Sequence, residues 1–144
     1  MSGAERLYTP ELLALTLKLA AFPYDESLPF AGDARSKSCG STLALRLGLD
    51  AGGRIDRLGM RVEACAVGQA SAALFAEAAP GRDRGAIGRA AEEMDRWLAG
   101  GEDRPDWPGI GMLEPARDYP ARHGAIMLPW RAALAALSSI TASG

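Results

Sequence analysis

Between residues 42 and 64 the chain runs with a hydrophobic period of two, interrupted once. Leu43, Leu45, Leu47 and Leu49 alternate with Thr42, Ala44, Arg46 and Gly48. Asp50-Ala51-Gly52-Gly53 follows, and then Leu58, Met60, Val62 and Ala64 alternate with Arg57, Gly59, Arg61 and Glu63. Period-two patterning puts every second side chain on one face of a strand, and two such runs joined by a short glycine turn predict an antiparallel hairpin with one buried face. A two-stranded hairpin is not stable alone, so its apolar face needs a third strand or helices.

The flanks supply helices. Thr9 suits an N-cap and Pro10 a first helical position, ahead of a leucine-rich run to Ala21 that Pro23 closes. Residues 22–37, with two prolines, Gly32 and scattered polar residues, read as irregular. After Cys65 the pattern turns helical and small (Ala66, Ala70, Ser71, Ala72, Ala73), up to Pro80-Gly81. Ile87, Ala90, Ala91, Met94, Trp97 and Leu98 form one stripe of a helix over about 84–98, which Gly100-Gly101 ends. Residues 102–120 read as an ordered surface loop, with a short turn of helix as the alternative, anchored by Trp107 and Tyr119, and a last helix is expected over about 126–140. Proline inside a helix removes a hydrogen bond, so that helix is expected to begin within a turn of Pro129 or to kink there. The three tryptophans fall at packing positions. The sum is one α+β domain over residues 1–144: a small antiparallel sheet of about three strands, covered on one face by four or five helices.

Several function classes drop out. A net charge of −2 without a basic block, and 6% aromatic residues, offer no footprint for nucleic acid. The apolar stretch Leu12 to Phe22 is too short to span a bilayer, and Met1 to Tyr8 has no apolar signal core, so no membrane partner and a cytoplasmic location are expected. No nucleophile–base–acid set, phosphate-cradling glycine loop or catalytic carboxylate pair is evident, which argues against an enzyme. Glu92-Glu93 lies on the solvated side of its helix and has no catalytic role assigned.

Chemistry concentrates at two cysteines. Cys39 stands where the loop enters the first strand of the hairpin, and Cys65 where the second strand hands over to a helix. A hairpin sets the start of one strand beside the end of the other, so both thiols are expected at the same sheet edge, with Cys65 near a helix N-terminus that favours a thiolate. Spacing alone leaves two readings open: half of a metal or cluster site, or two small semi-buried hydrophobes. His123, the only histidine, is a candidate third donor or simply a residue at a helix start.

Three stretches carry a resemblance. Cys39-Gly40-Ser41 leads into the alternating strand; Cys65-Ala66-Val67-Gly68-Gln69-Ala70-Ser71-Ala72-Ala73 follows; and Arg122-His123-Gly124-Ala125-Ile126-Met127-Leu128-Pro129-Trp130 comes last. In that order they resemble the Cys-Gly-Asp, Cys-Ala-Ile-Ser-x-Ala-Ser-Ala-Ser and Arg-x-x-Cys-x-x-Leu-x-Trp motifs of the U-type iron–sulfur cluster assembly scaffolds (SufU, IscU and the NifU N-terminal domain). They cover roughly residues 9–138, and the wide gap before the third motif is similar to the SufU branch.

The resemblance implies the family's fold and a role in iron–sulfur cluster assembly as a scaffold-like protein. It also implies an iron–sulfur cluster, of the 2Fe-2S kind, as the group held, with zinc the lesser alternative, and a cysteine desulfurase and other assembly proteins as partners. The family's ligands fall on Cys39, Ser41, Cys65 and Ala125. Ser41 replaces an aspartate and a neutral hydroxyl is a poor ligand, whereas Ala125 replaces the third cysteine and offers no donor. The histidine of the IscU branch falls on Gly124, one residue after His123. The ligand set implied is thus Cys39 and Cys65, with Ser41, His123 and Ala125 lining the site. In a homodimer, two such pairs would supply four thiolates. Two other readings stay open: an interaction protein of the same fold that binds a desulfurase without metal, and a thiol protein in which Cys39 and Cys65 form a reversible disulfide.

Overall fold

A computed structural model describes residues 7–142, with side chains described as far as residue 138. The charged opening, residues 1–6, and the last two residues lie outside it. Helix α1 (Pro10–Leu17) starts as its sequence dictates, with the Leu12 N–H donating to Thr9 Oγ1 at 3.1 Å and Pro10 in the first turn. Leu12 and Leu15 are buried, and a 3₁₀ turn (Lys18–Ala21) extends the helix.

The sheet has the order β1-β2-β3, antiparallel throughout: β1 (Phe30–Arg35), β2 (Thr42–Leu49) and β3 (Ile55–Glu63). The hairpin pairs Leu43 with Val62, Leu45 with Met60 and Leu47 with Leu58, as the alternation requires. Asp50 Oδ1 accepts the N–H groups of Gly52 and Arg54, both at 2.9 Å, and Gly53 adopts φ +80°, which closes the turn.

Strand β1 corrects the irregular reading of residues 22–37. Its fully buried residue is Gly32, and a Cβ there would collide with the backbone of Ala132 and Ala136. The strand is inward-facing at a glycine because a helix lies directly on it, so no apolar alternation marks it.

Helix α2 (Ala66–Ala78) follows β3, and α3 (Arg84–Leu98) starts at Asp83, which accepts the Ala86 N–H at 2.9 Å. Within residues 102–120 the helical turn forms, and it is longer than the short one allowed for. Ile110–Asp118 is a 3₁₀ helix with Ile110, Leu113 and Ala116 buried. The last helix, α4 (Pro120–Ala142), begins earlier than the expected 126 and runs through Pro129. Residues 125–130 are all buried, so packing on every side outweighs the single lost hydrogen bond. Helix α4 lies against β1, β2, α2 and α3. Its Ala132, Ala133 and Ala136 are fully buried and let the sheet approach closely.

All three tryptophans are core residues. Trp107 stacks on Phe75 (centroids 5.4 Å apart) and meets Trp130 edge-on at 5.2 Å, while its indole N–H donates to the Leu74 carbonyl. Among the described residues, no helix is long and apolar enough to cross a membrane.

Candidate functional site

Arg35 pairs with Thr42, so a tight loop of residues 36–41 joins β1 to β2. Two backbone bonds set its shape: Ser36 N–H to the Ser41 carbonyl (2.8 Å) and Gly40 N–H to the Ser36 carbonyl (2.9 Å). Gly40 takes φ +73°, a conformation few side chains tolerate. The loop holds Cys39 out into solvent, while Ser36 and Ser41 on either side are buried.

The serines form a chain of hydroxyls beneath the sulfur. Ser38 donates to the Ala121 carbonyl at 3.1 Å, so Ser36 is the donor in its 3.2 Å contact with Ser38. The Cys39 thiol in turn donates to Ser36 Oγ at 3.3 Å, and Sγ lies 3.0 Å from Ser41 Oγ. When Cys39 ionises, both hydroxyls can turn and donate to the sulfur. The Ser36 hydroxyl, then the Ser41 hydroxyl and backbone N–H, hold the Cys39 thiol below its ordinary value, with a smaller contribution from the Arg122 charge. Gly124 makes room for this arrangement, since a Cβ there would run into Ser36 Oγ.

Cys65 is the N-cap of α2, in extended conformation, and its side chain makes no capping bond. It is half-buried and a free thiol, as is Cys39. The last rung of the hairpin, Thr42 paired with Glu63, delivers both cysteines to one place. Cys39, Gly40, Ser41, Glu63, Ala64, Cys65 and Arg122 line a shallow cleft of about 290 Å³.

The other residues singled out from the sequence sit differently. Ser41 reaches the cleft with its hydroxyl on Cys39. Ala125 is fully buried and does not line the cleft; its methyl group faces Gly68, where a Cβ would lie 3.2 Å away. His123 also stays out of the cleft, with Nε2 3.0 Å from the Arg117 carbonyl. Sequence reasoning missed Ser36 and assigned no role to Arg122; the density of serines around Cys39 was the available signal.

Among the described residues, this donor set does not complete a metal site. Two thiols, a hydroxyl already bonded to one of them and a buried methyl group leave two of four positions without a ligand. Among the described residues, no group of three or more His, Cys, Asp or Glu side chains is placed to hold a metal ion.

No protein-family model matches the sequence, and no curated protein matches it. Solved structures do. The fold matches a nitrogen-fixing NifU-like protein (N-terminal) from Brucella abortus with a TM-score of 0.89 and 26% identity, over 99% of this chain and 100% of that one. It also matches a candidate iron–sulfur cluster assembly scaffold protein for the SUF system from the thermophile Fervidobacterium islandicum, with a TM-score of 0.80 and 21% identity, over 92% of this chain and 97% of that one.

Proposed function

We propose, from the premise that the chain belongs to the U-type iron–sulfur scaffold family, that it takes part in iron–sulfur cluster assembly with Cys39 and Cys65 as its working thiols. The observation that carries this reading is the shared cleft: two free thiols at the same end of the sheet, one exposed and one half-buried, in a chain that overlays a NifU-like N-terminal domain along its whole length. Because each chain offers two thiolates, a cluster would be cargo held between this chain and further donors, of which a second copy is the simplest source. A cysteine desulfurase is the partner this role calls for.

Anaerobic reconstitution of the purified chain with ferrous iron and sulfide tests it. We expect at most one cluster for every two chains, and loss of that iron and sulfide in Cys39→Ala and in Cys65→Ala. Unchanged cluster content in Cys65→Ala would remove the reading.

The loss of donors at Ser41 and Ala125 favours a second reading, in which the chain keeps the scaffold surface for a desulfurase and carries no metal. Under it, reconstitution yields no stoichiometric iron, while desulfurase binding survives in the Cys39→Ala/Cys65→Ala double variant.

A further inference from the structure

We propose that Cys39 and Cys65 form a thiol–disulfide redox pair that operates without metal, with Cys39 reacting first and Cys65 closing the bond. This goes beyond the cluster reading and does not depend on it.

Placement carries the argument. Cys39 lies three residues before Thr42 and Cys65 two residues after Glu63, and Thr42 pairs with Glu63, so the two chain segments enter the cleft side by side. Both cysteines line that cleft and both are free thiols. The two family positions that would tie these thiols to a metal are taken by the Ser41 hydroxyl, which bonds Cys39, and by the buried Ala125 methyl. What surrounds the sulfurs instead suits thiol chemistry. Cys39 is exposed, its Sγ is contacted by the hydroxyls of the buried Ser36 and Ser41, and Arg122 lines the same cleft. Cys65 is half-buried, with its side chain uncommitted to a cap bond, as a second-acting thiol requires.

The oxidant by chemical class is a hydroperoxide, and the steps balance. The Cys39 sulfur, its proton released, attacks the terminal oxygen; the O–O bond breaks, sulfur loses two electrons, and the leaving alkoxide takes up a proton. The products are a sulfenic acid on Cys39 and an alcohol, or water from hydrogen peroxide. The Cys65 sulfur then attacks the Cys39 sulfur, the S–O bond breaks, and the departing hydroxide leaves as water with the Cys65 proton. Two thiols and one hydroperoxide yield one disulfide, one alcohol and one water. A thiol reductant reverses the change.

The test uses the full chain, reduced and washed with chelator, treated with one equivalent of hydrogen peroxide and read by thiol counting and intact mass. The expected result is loss of both thiols together, with a mass lower by two hydrogens, in a monomer that dithiothreitol restores. Cys65→Ser should stop at a sulfenic acid on Cys39 that dimedone traps, and Cys39→Ser should leave Cys65 largely unreacted. Ser36→Ala, which removes one hydroxyl from the sulfur, should slow thiol loss by roughly fivefold. Oxygen added separately to each cysteine, a disulfide only between chains, or thiol loss in Cys39→Ser at the wild-type rate would each overturn the proposal. Because metal is absent throughout, failure here leaves the cluster reading to its own reconstitution test.

Discussion

The two sides of the cleft are built on opposite principles. On the loop side, residues 36–41, polar groups do the positioning: Cys39 rests on Ser36 and Ser41, and Ser38 fastens the loop to the first turn of α4. Behind the helix side, outside the cleft itself, small apolar surfaces do it where α2 meets α4: Gly68 fits between Ala64 and Ala125, where a Cβ would lie 2.8 Å and 3.2 Å from their methyl groups. Positions 41 and 125, where the resemblance would place two further donors, each follow the local principle. Position 41 carries a hydroxyl that joins a hydrogen-bond network, and position 125 carries a methyl group that completes a close-packed contact. Introducing a donor is therefore a polar problem at position 41 and a packing problem at position 125.

The sharpest way to break this contrast is to enlarge the helix side. Gly68→Val should separate α2 from α4 and destabilise the chain by about 3 kcal/mol, read from urea unfolding, because backbone and methyl neighbours cannot yield as flexible side chains do. Ala125→Cys adds one sulfur to the same contact and should cost about 1 kcal/mol. Neither Ser41→Asp nor Ala125→Cys alone should raise zinc retention after dialysis to one per chain, whereas the double variant, with four potential donors, should. Retention by Ala125→Cys alone would mean that position 41 was never limiting.

On the loop side the effect is electrostatic and smaller. The Ser36 and Ser41 hydroxyls hold the Cys39 thiol below its ordinary value, so alkylation by iodoacetamide should reach half its maximal rate at a lower pH than for an unstructured thiol. Ser36→Ala should move that midpoint upward and cost about 1 kcal/mol of stability. A thiol whose folded value is depressed contributes stability fully above the unfolded thiol value, and loses it as pH falls through the folded value. Wild type should thus gain on Cys39→Ser as the solution is made alkaline, and Ser36→Ala should shrink that gain.

The same contrast explains what could be read from sequence. The hairpin was legible because its inward residues are leucine, methionine and valine at period two, and its register alone brings Cys39 and Cys65 together. Strand β1 was not, because the inward position that matters is Gly32, selected for the approach of a helix distant in sequence. The early start of α4 was hidden by Pro129, whose local penalty is outweighed by burial that only the folded chain supplies. At the site, residue types announced the thiols, but the buried Ser36 beneath Cys39 depends on Gly124 from α4, a contact no local pattern encodes.

The smallest expected effect belongs to His123, and it separates proximity in sequence from proximity in space. His123 stands two residues before Ala125, yet its Nε2 lies 3.0 Å from the Arg117 carbonyl and its side chain stays out of the cleft. Because its partner is a carbonyl, Nε2 is the donor in that bond, which ties α4 to the end of the 3₁₀ helix that precedes it. Losing one partly exposed hydrogen bond of this kind costs about 0.5–1 kcal/mol. His123→Ala should lower stability by that amount while leaving the alkylation rate of Cys39, the peroxide response of the thiol pair and any iron taken up in reconstitution unchanged. A loss of iron in His123→Ala without a matching loss in stability would show that the ring turns into the cleft when cargo is present, and would make the helix side a source of donors after all.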